Sequence, residues 1–326
     1  MKAVTYDPKA DRFNLSELAI PTIGDNDVLI AVKACGLNPV DAKIHLWHTM
    51  APQMNEQWVV GLDVSGEVVD IGAKVDTWRV GDKVLCHGDM MRPHGGFAEF
   101  TVQNADTLIA YPKVDEATAA ATPCAGWTAW RALYDKLNIT AHDTILITGG
   151  SGGVGGFAVQ LARHVGLKQI IATCSSKNAD YVKGLGATHV LDYHQQDIVQ
   201  CTLDITNGLG VDIGLDTVGP NNDEFVANAL RFEGQMVALV DTVTPANYQD
   251  AFMRGLSFHQ LSLGAGHRNG VLGRQTLVQA GQAFSSLIAH GDVTVDKLQT
   301  IPLDDVPSAL VEMRNQRTVG KIVFKA

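Results

Sequence analysis

Cysteine is scarce in this chain of 326 residues: Cys35, Cys86, Cys124, Cys174 and Cys201 are odd in number and widely scattered, with no Cys-x2-Cys pair among them. That pattern argues against a disulfide framework and against the tight cysteine grouping of a structural zinc lobe, and it fits free thiols in a reducing compartment. No His-Glu-x-x-His helix is present either. No apolar run approaches the ~20 residues needed to cross a bilayer. The opening Met1-Lys-Ala-Val-Thr-Tyr-Asp reads as a strand entering a polar turn and not as a signal peptide, so the expectation is a cytoplasmic protein with no membrane partner. Basic blocks are missing too: 25 Lys and Arg face 35 Asp and Glu, a net charge of −10 spread evenly, which leaves no patch for nucleic acid.

What the chain does have is length enough for two domains and an apolar fraction of 46%, ordinary for a globular protein. At its centre, Thr144-Ile-Leu-Ile147 reads as a strand, and Val154, Ala158, Leu161, Ala162 and Val165 recur at helical spacing up to Gly166. Between them lies Gly150-x-Gly152-x-x-Gly155, with Ser151, Gly153 and Val154 in the gaps. Missing β-carbons let such a turn approach a pyrophosphate, with helix N-terminal amides facing the anion. Further strands are predicted at Gln169 to Cys174, His189 to Asp192, Val211 to Asp216, Gln235 to Val240 and Phe258 to Leu263, with helical patterns between them. Six strands alternating with helices predict a doubly wound parallel sheet of the Rossmann type that binds a dinucleotide.

An acidic side chain at the end of the second strand would bind the ribose of NAD and repel a 2′-phosphate. Cys174 holds that place, followed by Ser175, Ser176 and Lys177, a set of donors suited to phosphate; NADPH is therefore the expected cofactor. Asp180 lies inside the next helix and reads as a helix-start carboxylate.

Before this region, short runs at Val28 to Ala34, Val64 to Ile71, Lys83 to Cys86 and Gly96 to Val102 predict a curled antiparallel domain, and Ala117 to Leu137 predicts helices leading out of it. The segment Cys35-Gly-Leu-Asn-Pro-Val-Asp-Ala-Lys43 gathers an amide, a carboxylate and an ammonium after a strand. Two readings stand: a binding loop, or a local turn in which Asn38 and Asp41 serve a short helix. His45, His48, His87 and His94 are expected as solvent-facing or hydrogen-bonding side chains and not as metal ligands. After Leu263, a helix over Arg274 to His290, a strand at Leu298 to Ile301, a helix near Asp304 to Arg314 and Lys321-Ile-Val-Phe324 need somewhere to pack, and the first domain is the expected place.

The motifs Gly36-Leu-Asn-Pro-Val-Asp41, Gly61-Leu-Asp-Val-Ser-Gly66, Val80-Gly-Asp-Lys-Val84, Gly95-Gly-Phe-Ala-Glu-Phe100, Ser151-Gly-Gly-Val-Gly155, Val211 to Gly219 and Gly320-Lys-Ile-Val-Phe324 resemble the medium-chain dehydrogenase/reductases, within them the zinc-independent quinone oxidoreductase and zeta-crystallin-like branch. The resemblance runs end to end. It implies an α/β protein: a GroES-like β-rich catalytic domain over residues 1–122, completed by 267–326, with an inserted Rossmann domain over 123–266, assembled as a homodimer or homotetramer through the last Rossmann strand. For the cofactor it implies, beside the glycine loop and Ser175 to Lys177, the residues Thr128, Tyr193, Val218, Val240, Leu263, Gly264 and Ala265. Where zinc-dependent relatives place a Cys and a His on the metal, this chain has Asn38 and Leu62, leaving Cys124 alone, so no metal is expected. The short-chain reductase alternative lacks its Tyr-x-x-x-Lys.

Without zinc, a simple alkoxide has little to stabilise it, whereas a quinone or an α,β-unsaturated carbonyl delocalises the anion that hydride addition creates. The expected reaction is hydride transfer from NADPH to such a substrate. Asn38 and Lys43 are the expected donors, with Asp41 orienting Lys43 and His45 or His48 as further proton sources. A lysine after Asn-Pro-Val-Asp in related reductases resembles Lys43; the tyrosine of many quinone reductases has no counterpart between Tyr6 and Tyr111. Alternatives are an NADPH-binding crystallin-like or sensor protein with little turnover, and a metal-free alcohol or aldehyde reductase.

Overall fold

The computed structural model describes residues 1–47, 50–315 and 318–326, and the chain divides into two units, Met1–Trp127 with Leu263–Ala326, and Thr128–Ser262. Both divisions fall a few residues away from the 122/123 and 266/267 expected from the sequence.

In the first unit, β1 (Lys2–Asp7) pairs antiparallel with β2 (Arg12–Glu17) and β4 (Trp58–Val59). The larger sheet is built on β3 (Asp27–Leu37), β5 (Asp63–Ile71), β6 (Lys83–His87), β7 (Phe100–Asn104) and β8 (Ile109–Ala110). The first half of β3 alternates buried and half-buried residues, as a strand with one face on the core should, and its last four residues are all buried. Those last residues lead into the loop that the sequence singled out. Val4, Tyr6, Ile30, Val64, Phe97, Leu310 and Phe324 form the core of this unit.

The second unit is a parallel sheet of β9 (Thr144–Ile147), β10 (Gln169–Cys174), β11 (His189–Asp192), β12 (Val211–Asp216), β13 (Leu230–Ala238) and β14 (Ser257–Gln260). Its order, β11-β10-β9-β12-β13-β14, reverses direction at β9 and is that of a complete Rossmann sheet. The central strands read as near-continuous apolar runs because both faces are covered: Ile145, Leu146, Ile147, Ile170, Ile171, Ile213 and Leu215 are at most 2% exposed. Helix Gly153–Val165 follows β9 and stops at Gly166, whose φ of +90° suits glycine at a helix end.

The chain then returns to the first unit through a 3-10 turn at Leu263–Arg268 and helix Gly270–His290. Strands β15 (Leu298–Ile301) and β16 (Lys321–Lys325) complete the large sheet, β15 parallel to β16 and β16 antiparallel to β3. The expected packing of the C-terminal elements onto the first domain is what the structure holds.

Three local expectations need correction. The stretch expected as plain helices over Ala117 to Leu137 contains two π-helical segments, Pro123–Trp127 and Arg131–Lys136. A proline has no N–H to donate into a regular ladder, and Pro123 starts the first of them. Strand β13 begins at Leu230, earlier than Gln235, and β14 ends at Gln260, so Leu263 lies in the following turn and not in the strand. Among the described residues no helix is long and apolar enough to cross a membrane.

Candidate active site

Pro39 opens a short helix, Pro39–Ala42, with Asn38 extended before it at φ −134° and ψ 153°. Proline pre-sets the φ of a first helical residue and costs no hydrogen bond there. The N–H of Asn38 donates to Asp41 Oδ2 at 2.9 Å, and the N–H of Asp41 donates to the Asn38 carbonyl at 3.0 Å. The helix end is tied down by Arg314, whose Nε donates to the Ala42 carbonyl at 2.7 Å.

Asp41 is thus engaged with Asn38 and not with Lys43. Lys43 ends the helix exposed, and its ammonium has no hydrogen-bond or ion-pair partner among the described residues. The expectation that Asp41 orients Lys43 is corrected accordingly. His45 is exposed on the next turn, and His48 lies outside the described residues.

The side chain of Asn38 faces inward. Its Nδ2 donates to Asp63 Oδ2 at 2.9 Å, and its Oδ1 accepts from Lys321 Nζ at 2.5 Å. The other oxygen of Asp63 accepts the N–H of Cys124 at 2.8 Å and lies 3.0 Å from His87 Nδ1. Five polar side chains, Asn38, Asp41, Asp63, His87 and Lys321, are between 0% and 6% exposed. Isolated polar groups at that depth would each cost several kcal/mol, on the order of 2–7. Here they satisfy one another.

Strand pairing brings them together. Asp63 on β5 stands opposite Gly36 on β3 and His87 on β6, and on the other side of β3, Leu37 stands opposite Ile322 of β16, next to Lys321. Close backbone approach is built in at Gly36, where a Cβ would lie 2.4 Å from the Ala120 carbonyl oxygen. At Gly61 a φ of +107° makes the turn that delivers Leu62 and Asp63.

Electrostatics follow from burial. Burial, reinforced by the Asp63 carboxylate, pushes the Asp41 carboxyl up to about 8, so it is largely protonated at neutral pH. The same two influences hold the Cys124 thiol well above its ordinary value. Burial, then the neighbouring His87, lowers His267 to about 4; its neutral ring donates from Nε2 to the His87 carbonyl at 2.9 Å. Beside Asp41 lies a small recess of ≈ 20 Å³ lined by Ile44, Trp47, Trp58, Leu62 and Met90, enough for about one water.

In the second unit the glycine loop has the shape a pyrophosphate needs. A Cβ on Gly155 would lie 2.3 Å from the Gly149 carbonyl oxygen, one on Gly150 would lie 2.9 Å from Ala172 Cβ, and one on Gly152 would lie 3.3 Å from the Gly149 oxygen. Side chains would fill this cradle. No side chain caps the helix start at Gly152, where Gly153, Val154 and Gly155 present their amides. Asn178 Nδ2 stands 3.2 Å from Ser175 Oγ and 3.5 Å from Ser151 Oγ, fixing the end of β10 against the glycine loop. Ser176 and Lys177 are exposed on the 3-10 turn after it. One feature of that turn was not foreseen: the Ser176 N–H donates to Asp192 Oδ2 at 3.1 Å, which places a carboxylate at the end of β11. Tyr193 follows, half-buried, its ring 4.3 Å from that of His194. Val218 is half-buried, Val240 exposed and Thr128 buried in the same unit, whereas Leu263, Gly264 and Ala265 belong to the first unit.

Asp63, His87 and Lys321 escaped the sequence reading. Asp63 and Lys321 sit inside two of the motifs quoted above, but nothing in their spacing pairs them with Asn38. His87 is expected from the sequence only as a solvent-facing or hydrogen-bonding histidine, and it is the second: buried, with Nδ1 3.0 Å from Asp63.

Comparison with known proteins agrees with this architecture. Residues 24–113 match the alcohol dehydrogenase GroES-like domain and residues 153–271 the zinc-binding dehydrogenase domain. The chain is 33% identical over 243 residues to a 2-methylene-furan-3-one reductase of Solanum lycopersicum, covering 72% of this chain and 60% of that one. It is 32% identical over 252 residues to the quinone oxidoreductase of Sus scrofa, covering 76% and 75%. The Escherichia coli quinone oxidoreductase, solved in complex with NADPH, superposes with a TM-score of 0.85 at 25% identity over all of both chains. The chain belongs to the medium-chain dehydrogenase/reductase superfamily. Within it the likeness is to quinone oxidoreductases and enone reductases, although the match spans only about three fifths of the first plant relatives' length.

The name of one matching domain implies zinc, so the fit of the residues matters. Asp63, His87 and Cys124 bring ligand-type atoms within 4.8 Å of one another. Yet Asp63 already accepts N–H groups from Asn38 and Cys124 and faces His87 Nδ1, while Leu62 has no donor atom. A zinc ion would have to dismantle that network, and the set does not fit one.

Proposed function

We propose that the protein is an NADPH-dependent reductase that passes hydride to a quinone or an α,β-unsaturated carbonyl without zinc. The observation that carries the reading is the contrast between the two units' sites: the glycine cradle has the shape for a dinucleotide, whereas the place of an activating metal is filled by the hydrogen bonds of Asn38, Asp63 and Lys321. A substrate that stabilises its own anion suits such a site. The NADPH-bound Escherichia coli relative and the two reductases named above support the same conclusion.

In this reading the amides of Gly152 to Gly155 with Ser151 hold the pyrophosphate, and Ser175, Ser176, Lys177 and Tyr193 take the 2′-phosphate. Thr128, Val218 and Val240 extend the cofactor site in the same unit, and Leu263, Gly264 and Ala265 are further cofactor residues that the family resemblance implies. The nicotinamide supplies the hydride. Asn38 and Asp41 act through the buried network, and Lys43 offers a free ammonium to the substrate oxygen. A second copy of the chain is the proposed partner, joined along edge strand β14 near Phe252 and Met253, which are 94% and 76% exposed.

Turnover of a panel of quinones and enones with NADPH, followed at the nicotinamide absorbance, tests the reading. Reduction of at least one class, with simple alcohols left unoxidised, is expected. Tight NADPH binding with no turnover across the panel would instead make this a cofactor-binding protein.

A further inference from the structure

We propose that Asp192 sets how far this protein prefers a cofactor carrying a 2′-phosphate, by supplying from β11 the carboxylate that an NADH site carries at the end of its second strand. This rests on the cofactor reading above and names the residue that tunes it.

In an NAD site the second Rossmann strand ends in an acidic residue that accepts the ribose hydroxyls. Here β10 ends in Cys174, which is 1% exposed and offers no carboxylate. Cys174 and Asp192 are registered partners in the parallel pair of β10 and β11, so their backbones lie about 4.8 Å apart. The carboxylate missing at position 174 is therefore present one strand over. It is near enough to add to the effect of burial on the Cys174 thiol, which is raised to about 11.

Asp192 is held in place. Its Oδ1 accepts the His194 N–H at 2.9 Å, and its Oδ2 accepts the Ser176 N–H at 3.1 Å. Its own N–H donates to Gln196 Oε1 at 2.7 Å. The His194 N–H foremost, and then the N–H and hydroxyl of Ser176, hold its carboxyl below the usual carboxylate range. A full negative charge thus stands against the 3-10 turn Ser176–Asn178 at neutral pH.

That turn adjoins the glycine cradle. The Gly150 N–H donates to the Thr173 carbonyl at 2.8 Å, and the Gly149 N–H to Thr173 Oγ1 at 3.1 Å, so the cradle and the end of β10 are joined directly. A pyrophosphate in the cradle brings the adenosine ribose beside residues 174–177. There a 2′-phosphate meets two opposed influences: Lys177 attracts it, whereas Asp192 repels it and already occupies the Ser176 donors that a phosphate oxygen would use. A 2′-hydroxyl can instead donate to that carboxylate. Specificity is a difference of affinities, and the repelling group sets it as much as the attracting one. All of these residues belong to the second unit.

Calorimetric titration of the full chain with adenosine 2′,5′-bisphosphate and with adenosine 5′-monophosphate decides it, since the two differ only in the 2′-phosphate. Asp192→Asn keeps the size of the side chain and loses its charge. The ratio of the two affinities should move on the order of tenfold toward the bisphosphate, with the monophosphate binding no tighter than before. Asp192→Glu keeps the charge and should keep the ratio within about threefold of the unaltered protein. A turn merely loosened by substitution would change both affinities alike, and that result overturns the proposal. So does a ratio that moves as far in Asp192→Glu as in Asp192→Asn. If neither fragment binds the unaltered protein, the dinucleotide reading itself falls and the role of Asp192 with it; if both bind and the ratio stays fixed in Asp192→Asn, only the role of Asp192 falls.

Discussion

Asn38 and Lys321, 283 residues apart in the chain, meet at 2.5 Å inside the first unit. The ammonium of Lys321 is the positive charge nearest the Asn38 amide, and Asn38 passes that polarity on to Asp63. A residue that looks like a lost metal ligand in the sequence is the bridge of a hydrogen-bonded charge pair in the fold.

Removing that ammonium should therefore be costly. Lys321→Met keeps most of the apolar stem but leaves Asn38 Oδ1 without its donor and the buried Asp63 without the nearby ammonium. Breaking a buried ionic contact from one side typically costs about 3–5 kcal/mol. Urea denaturation should show a loss of that order, with Lys321→Arg losing less; a change under about 1 kcal/mol would mean that the network does not bear on stability.

Asp41 makes a prediction about pH. Its folded value, about 8, is raised above an ordinary carboxylate near 3.8, so the folded state holds a proton that the unfolded chain releases. The stability it contributes is full below pH 4 and is lost as pH rises through 8. Asp41→Asn should remove that decline, so the variant should gain at least about 1 kcal/mol relative to the unaltered protein between pH 5 and pH 9. His267, lowered to about 4, acts in the opposite sense: its contribution is present above pH 6.5 and is lost as pH falls through 4. The difference between the two proteins, measured by thermal unfolding at each pH, isolates Asp41.

Metal analysis of purified, tag-free protein should find no stoichiometric zinc, and a chelator should leave turnover unchanged. Added cobalt should produce no thiolate-to-cobalt absorption. One zinc per chain, with activity lost on its removal, would refute the metal-free mechanism.

Lys177→Ala should weaken NADPH roughly tenfold or more and hardly alter NADH, since a charge-assisted contact is worth about 1.5–3 kcal/mol. Asp192 stands on the Ser176 amide in the same turn, so Asp192→Asn should shift preference further toward NADPH by removing a repelling carboxylate. Calorimetric titration with both cofactors measures each effect; equal affinities of the unaltered protein for NADPH and NADH would contradict the assignment.

The sequence by itself determined the parallel sheet and its glycine loop. Both faces of a central parallel strand are buried, so β9 and β10 carry the apolar runs 145–147 and 170–172, and the expected ends of β10, β11 and β12 match the observed strands; a glycine where no Cβ fits leaves its mark at Gly150 and Gly155. It also marked Asn38 and Asp41 as a pair, since a helix start acts over three residues. Only the tertiary structure decided what that pair does. Hydrogen bonds between Lys321, Asn38, Asp63 and His87 depend on which strands lie side by side, and β16, β3, β5 and β6 are neighbours in space across gaps of up to 284 residues. Separation along the chain carries no record of that order, because sheet pairing is settled by how whole strands bury their faces and not by any local preference of the residues that meet.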